Sequence, residues 1–209
     1  HTCVILDNGA VSCWGENIHG QLGNGKNGLL DGEKTPTLIN SLGSGRTAVA
    51  ISSGHDHTCA ILDNGLVSCW GDGTWGQLGN GNTDDKNTPT LTNSIGAGRT
   101  AVAISSGDDH TCVILDNGEV SCWGRGAYGQ LGNGGDSEKL APTLTNNLGT
   151  NRTAIALTSG GKHTCAILDD GSVSCWGQGT RLGNGDNDDK NIPTPTSSLG
   201  AGRTAVAIS

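Results

Sequence analysis

At 209 residues, with 33% hydrophobic residues, no Phe, no Met and 36 Gly, the chain is poorly suited to one large core or to long helices; many short strands joined by Gly-rich turns fit it better. A net charge of −8 with only 12 scattered Lys and Arg repels a phosphate backbone and argues against nucleic acid as a partner. No apolar run approaches the roughly 18–20 residues that a helix needs to cross a bilayer, so no membrane span is expected.

Taken in chain order, TCVIL from Thr2 and AVSCW from Ala10 flank Asp7-Asn8-Gly9. Asx-Gly between β-prone runs predicts a hairpin. With a three-residue loop, Leu6 faces Ala10, Ile5 faces Val11, Val4 faces Ser12 and Cys3 faces Cys13; Gly9 supplies the left-handed position. A Gly-rich stretch, GQLGNG, follows from Gly20, and then a polar loop around Lys26–Lys34. A weaker strand is expected through Pro36-Thr37-Leu38-Ile39, and a further one, TAVAIS, from Thr47.

The same text then returns. The anchor His-Thr-Cys stands at His1, His57, His110 and His163, at intervals of 56, 53 and 53 residues. Each anchor opens a near-identical run, CVILDNGAVSCWG, CAILDNGLVSCWG, CVILDNGEVSCWG and CAILDDGSVSCWG. The chain therefore divides into repeats 1–56, 57–109, 110–162 and 163–209 of about 53 residues. Three or four antiparallel strands per period fit one blade of a β-propeller, so the expected fold is all-β, a propeller built of four repeats. The fourth copy reads Gln178-Gly179-Thr180-Arg181-Leu182 and lacks the Gly-Gln pair; a local loop change is expected there, with the blade kept.

The run SxGxxHTCxxxxDGxVxCWG followed by GQLGNG resembles the repeat of the regulator of chromosome condensation family, and the resemblance covers essentially the whole chain. It implies a β-propeller, usually of seven blades, in which a blade is often completed by strands from both chain ends. Here Thr204–Ser209 would be a strand lacking its following hairpin, and the hairpin at His1–Gly15 lacks a preceding strand. The start at His1, in mid-repeat, reads as a processed product or an excerpt. Three arrangements stay open: part of a larger ring, several chains sharing blades or joined as a polymer through terminal strands, and a closed ring of four.

Eight cysteines form four pairs ten positions apart: Cys3 with Cys13, Cys59 with Cys69, Cys112 with Cys122, and Cys165 with Cys175. The hairpin register sets each pair directly across the ladder, within disulfide range. Four disulfides are predicted, and with them an oxidising, extracellular or cell-surface location. The alternatives are free buried thiols, or zinc, whose structural sites use more closely spaced Cys pairs.

No nucleophile, phosphate-loop, zinc-protease or dinucleotide motif is present, so no enzyme is expected. His1, His57, His110 and His163 recur once per repeat, which suits a structural hydrogen bond better than a ring of ligands or bases. Trp14, Trp70, Trp123 and Trp176 read as packing between blades. His19, Trp75 and Tyr128 share one loop position and are the candidate ligand contacts. Arg46, Arg99, Arg152 and Arg203 precede Thr-Ala and would either ring an anion or pair with nearby acids. Asp84–Asn87 and Asp186–Lys190 offer oxygen ligands for Ca²⁺ but depart from EF-hand spacing; solvated loops are expected, and no cofactor is called for. Asn151-Arg152-Thr153 is a glycosylation sequon.

These readings converge on an extracellular propeller scaffold that binds a protein or other macromolecule through variable loops. A structural subunit of an extracellular assembly, joined head to tail, is one alternative. A carbohydrate-binding, lectin-like module is another.

Overall fold

The structure, a computed structural model, describes all residues from His1 to Ser209. Fifteen strands form one three-stranded and three four-stranded antiparallel sheets. Blade 1 holds β1 (Thr2–Ile5), β2 (Val11–Gly15) and β3 (Glu33–Leu38). Blade 2 holds β4 (Ala48–Ser53), β5 (His57–Leu62), β6 (Val67–Gly71) and β7 (Lys86–Leu91). Blade 3 repeats this as β8 (Ala101–Ser106), β9 (His110–Leu115), β10 (Val120–Gly124) and β11 (Lys139–Leu144). Blade 4 follows as β12 (Ala154–Ser159), β13 (His163–Leu168), β14 (Val173–Gly177) and β15 (Lys190–Pro195). Within each complete blade the strands lie in chain order, so the TAVAIS-type strand pairs with the hairpin that follows it.

The hairpins have the register the sequence predicts. Ile5 faces Val11, Val4 faces Ser12 and Cys3 faces Cys13, and the other three hairpins repeat the pairing. Leu6 N–H donates to Ala10 O at 2.8 Å, and Gly9 sits at φ 75°. All four cysteine pairs are disulfides: Cys3 is bonded to Cys13, Cys59 to Cys69, Cys112 to Cys122 and Cys165 to Cys175, each with Cα atoms 4.1 Å apart. None of the eight is left as a free thiol. Alkylation of the unfolded chain without reductant is therefore expected to label no thiol, against eight after reduction, as read by intact mass. Labelling before reduction would refute the pairing. Removing one bridge by a paired Cys→Ala substitution, such as Cys112→Ala with Cys122→Ala, is expected to cost about 3 kcal/mol in urea denaturation, since each closes a loop of roughly ten residues.

The fourth strand runs Glu33–Leu38 in blade 1, slightly earlier than expected, with Ile39 N–H still donating to Val11 O at 3.1 Å. A register shift between Cys13 and Gly15 lets this strand turn away from its neighbour. The same shift recurs between Cys122 and Gly124 and between Cys175 and Gly177. All five prolines lie in these outer strands, at Pro36, Pro89, Pro142, Pro193 and Pro195. An edge strand tolerates the missing N–H. The inner position falls to β4, β8 and β12, which pack on one another; Ser106 N–H donates to Ser52 Oγ at 2.9 Å and Ser159 N–H to Ser105 Oγ at 2.8 Å.

The core lies between blades. Cys59, Ile61, Val67, Cys69 and Leu78 of blade 2 pack against Ala101, Val113, Leu115 and Trp123 of blade 3. Blades 3 and 4 repeat the arrangement with Cys112 and Cys122 around Trp176, and blades 1 and 2 with Cys13 around Trp70. Cys165 and Cys175 form the matching layer on blade 4, with Ile167, Val173 and Leu182. The disulfides stand in these layers and supply apolar volume that Phe and Met would otherwise give. Trp70, Trp123 and Trp176 are fully buried, whereas Trp14 in the first blade is half-buried.

The fourth copy keeps its blade. Its loop tightens into a short 3₁₀ turn, Gly179–Arg181, ahead of a complete sheet. Thr204–Ser209, expected as a strand, forms none. Ala205 N–H donates to Gly171 O at 2.8 Å, as Ala48 N–H does to Gly9 O at 2.9 Å. Ala205 and Ile208 pack on blade 4. The segment thus lies where β4 lies on blade 1, but no hairpin within this chain pairs with it.

Candidate macromolecule-binding face

The loops after the first three CWG runs are held by contacts to the next blade. The Thr58 hydroxyl donates to Gln21 O at 2.9 Å, and Trp70 Nε1–H donates to the same carbonyl at 2.9 Å. One blade later, Thr111 and Trp123 converge on Gln77 O at 3.1 and 2.8 Å. Because the threonine proton points at the carbonyl, its oxygen accepts from histidine Nε2–H: His1 to Thr58 at 2.8 Å, His57 to Thr111 at 2.9 Å, His110 to Thr164 at 2.9 Å. Nδ1 of each anchor histidine is left bare and without a partner. Burial pushes His57 down to about 4, against a weaker upward pull from Asp72 and Asp56. Burial pushes His110 down to about 3, helped by His57 and His163. Both rings are neutral at pH 7 and closed to solvent, and their place is in a latch between blades.

On this frame the glutamine side chain fixes the outward-facing residue. Gln21, Gln77 and Gln130 Oε1 accept from the backbone N–H of His19 at 2.9 Å, Trp75 at 2.8 Å and Tyr128 at 2.9 Å. The three candidates therefore stand at one geometrical position on three successive blades. Trp75 is 39% exposed; His19 and Tyr128 are half-buried.

Each meets a polar side chain of the following blade. His19 Nδ1 lies 2.9 Å from Asp85 Oδ2. The Arg125 guanidinium lies 4.6 Å from the Trp75 ring centre and pairs with Asp109 at 3.1 Å. Lys162 Nζ lies 4.8 Å from the Tyr128 ring centre. Such cation–aromatic contacts contribute roughly 0.5–1 kcal/mol at exposed sites, enough to orient the rings. Partial burial lowers the His19 pKa, but the hydrogen bond to Asp85 and the charges of Asp72, Asp85 and Asp56 outweigh it, and the net shift is upward. His55 is raised by its hydrogen bond and charge interaction with Asp56, at 2.6 Å.

Sequence reasoning singled out His19, Trp75 and Tyr128, and Asp85 within the acidic loop 84–87, but did not pair His19 with Asp85, and it missed Arg125 and Lys162. The signal was present: the residue after CWG changes from Glu16 to Asp72, Arg125 and Gln178 within otherwise constant text, and Lys162 stands before His163 where Asp56 and Asp109 precede His57 and His110.

The arginines sit elsewhere, beside the hairpin turns. Arg46 pairs with Asp63 at 3.2 Å, Arg99 with Asp116 at 3.7 Å, and Arg152 with Asp169 at 3.3 Å and Asp170 at 3.0 Å. Pairing with nearby acids, not a free basic ring, describes these three. In the acidic loops, Lys86 lies 3.4 Å from Asp84 and Lys190 lies 2.9 Å from Asp186, so each carries its own cation.

Blades with a constant latch and variable outward side chains define a repeat propeller that presents one composite face. The chain belongs to the regulator of chromosome condensation (RCC1) repeat family: the repeat description matches residues 8–61, 64–114 and 117–167, and a second form of it matches 48–77, 101–130 and 154–181. It is 33% identical over 209 residues to the ultraviolet-B receptor UVR8 of Arabidopsis thaliana, covering 99% of this chain and 46% of that protein. It is 32% identical over 196 residues to the E3 ubiquitin-protein ligase HERC2 of Homo sapiens, covering 92% of this chain and 4% of that protein. The chain thus spans less than half the length of these relatives. Among solved structures, human WBSCR16 superposes with a TM-score of 0.83 at 22% identity, over 94% of this chain and 50% of that one. Prp20p of Saccharomyces cerevisiae superposes with a TM-score of 0.76 at 21% identity, over 91% and 47%. These likenesses establish the propeller fold.

Proposed function

We propose that this chain is a protein-binding propeller module of an oxidising, extracellular setting, and that its partner docks on the face carrying His19, Trp75 and Tyr128. The observation that carries the reading is one rigid loop position, repeated on three blades, holding three unlike side chains outward on an otherwise constant frame. Function concentrates in such variable positions on fixed scaffolds. Family likeness supports binding over catalysis: one similar yeast protein, RCC1 (Prp20), was solved bound to Kap60, and Prp20p is described by its binding to Gsp1p and histones. The four disulfides support the oxidising setting.

Affinity capture from the protein's own surroundings, scored by quantitative mass spectrometry, tests this. A partner taken by the wild type is expected to lose roughly 30-fold or more in affinity with Trp75→Ala, the scale of an exposed aromatic hot spot, while folding stability changes by less than about 1 kcal/mol. Val102→Asp, an exposed control on an inner strand, is expected to keep the partner. Retained capture by Trp75→Ala, His19→Ala and Tyr128→Ala together would refute the docking face. Light scattering on the same samples separates a foreign partner from a second copy: a mass above the 21.1 kDa of one chain would identify self-association.

A further inference from the structure

We infer that His19, Asp72 and Asp85 form a divalent transition-metal site of the zinc class, clamped between the first and second blades. One donor atom from each residue lies within 4.8 Å of the other two. Donors around a tetrahedral zinc, at 2.0–2.2 Å from the metal, stand about 3.4 Å apart. Small side-chain rotations therefore close the cluster around an ion, with no change of backbone.

The backbone around the donors is already fixed. His19 N–H is held by Gln21 Oε1 at 2.9 Å, and its loop is tied to blade 2 by Gly25 N–H donating to Asn87 O at 2.8 Å. Asp72 Oδ1 accepts from the Thr74 N–H at 2.9 Å and hydroxyl at 2.6 Å, and Oδ2 accepts from Gln77 Nε2–H at 2.7 Å. Asp85 Oδ1 accepts from Gly73 N–H at 3.0 Å, which leaves Oδ2 on the His19 side. Thr74 fills both lone pairs of Asp72 Oδ1, but Asp72 Oδ2, bonded only to Gln77, and Asp85 Oδ2 each keep one for a metal, and the bonds orient both ligands.

Charge and chemistry select the ion. Two carboxylates converge on one imidazole, and a dication neutralises them where they stand. One nitrogen and two oxygens suit Zn²⁺, Co²⁺, Ni²⁺ or Mn²⁺; Ca²⁺ takes six to eight oxygens, and no thiolate is free to favour copper(I). Asp85 is exposed and His19 half-buried, so an ion can enter, and a fourth position stays open to water or to a partner's side chain. The frame alone does not create the site. At the same position, the next two interfaces hold Trp75 with Arg125 and Tyr128 with Lys162, pairs that already carry a cationic side chain and bring no imidazole and carboxylate together.

The test uses the intact, disulfide-bonded chain without a histidine tag, titrated with ZnCl₂, MnCl₂ and CaCl₂ by calorimetry. The expected result is one Zn²⁺ per chain, weaker Mn²⁺ and no measurable Ca²⁺, with a rise in Tm on zinc addition. His19→Ala and Asp85→Asn are each expected to lower zinc affinity by at least about 100-fold, beyond the 10–100-fold seen for outer-shell changes. His55→Ala and Trp75→Ala are expected to leave it unchanged. Asp72→Asn doubles as a folding check through far-UV circular dichroism, because Asp72 also holds its own turn. Zinc binding that survives His19→Ala, that disappears with His55→Ala, or that is absent from the folded wild type would overturn the site. A partner capture that fails while zinc still binds would refute the docking face alone.

Discussion

Acidification from pH 7 to pH 5 is expected to destabilise the fold by roughly 4 kcal/mol, most of it through His57 and His110. Both rings are buried, and their folded pKa values, about 4 and about 3, lie below the unfolded 6.5. Between those limits the unfolded chain binds more protons, so stability rises with pH; it is fully present above about 6.5 and is lost as pH falls toward the folded values. At pH 5 the unfolded chain is almost fully protonated at both histidines, and each costs about 2 kcal/mol by linkage. His163 is lowered by burial and by Arg181, and acts in the same direction. The raised His19 and His55 act oppositely, but both are open to solvent, and such exposed pairs contribute well under 1 kcal/mol. Asp72, Asp170 and Asp186 are lowered and lose their contribution mainly below about pH 4, outside this window.

Urea denaturation at pH 7 and pH 5 reads the difference. His57→Gln keeps an amide N–H to donate to Thr111 but removes the titration, so it should shrink the difference by about 2 kcal/mol, whatever it does to stability at pH 7. His110→Gln should do the same with Thr164. An unchanged difference in both variants would mean that another group drives the acid response.

The repeat's own text shows why some of this was legible and some was not. Asp-Asn-Gly fixes a hairpin locally, and the hairpin fixes which cysteines face each other; pairing and register follow from residues a few positions apart. Cys122 meets Cys112, and Cys175 meets Cys165, for the same local reason. The departure in the fourth copy is likewise local and ends in a local 3₁₀ turn. By contrast, the partners of His57, Trp75 and Arg46 lie on the following blade or hairpin. Thr111 stands 54 positions from His57, Arg125 stands 50 from Trp75 and Asp63 stands 17 from Arg46. A periodic sequence shows that His, Thr, Gln, Trp and Gly recur from copy to copy, but not that each copy's histidine reaches its successor's threonine. Only the stacking of blades supplies that. The segment Thr204–Ser209 illustrates the limit: its residues are those of a strand, yet without a paired hairpin it forms no ladder.

The latch makes a second large effect computable, at Gly79. Gly79 and Gly98 both lie in the left-handed region, at φ 65° and 69°, so an alanine at either costs about 1–2 kcal/mol of backbone strain. They differ in what a methyl group would meet. At Gly98 nothing lies within 4 Å; at Gly79 the methyl would stand 2.7 Å from Trp123 Nε1 and 2.9 Å from its Cδ1. Trp123 cannot retreat. It is fully buried, packed against Cys69 and Leu78, and its Nε1–H is bonded to Gln77 O at 2.8 Å. Overpacking there adds roughly 1–3 kcal/mol and strains the bond between blades 2 and 3. Gly79→Ala is therefore expected to cost about 2–5 kcal/mol in urea denaturation, and Gly98→Ala about 1–2 kcal/mol. A cycle with Trp123→Ala isolates the contact: the indole's removal is itself costly, but in that background Gly79→Ala should fall to the Gly98→Ala value, a coupling of about 1–3 kcal/mol. Equal costs for the two glycines in the wild-type background would mean that backbone strain alone holds Gly79. The GQLGNG text would then be a loop preference, and not the seat on which the next blade's tryptophan rests.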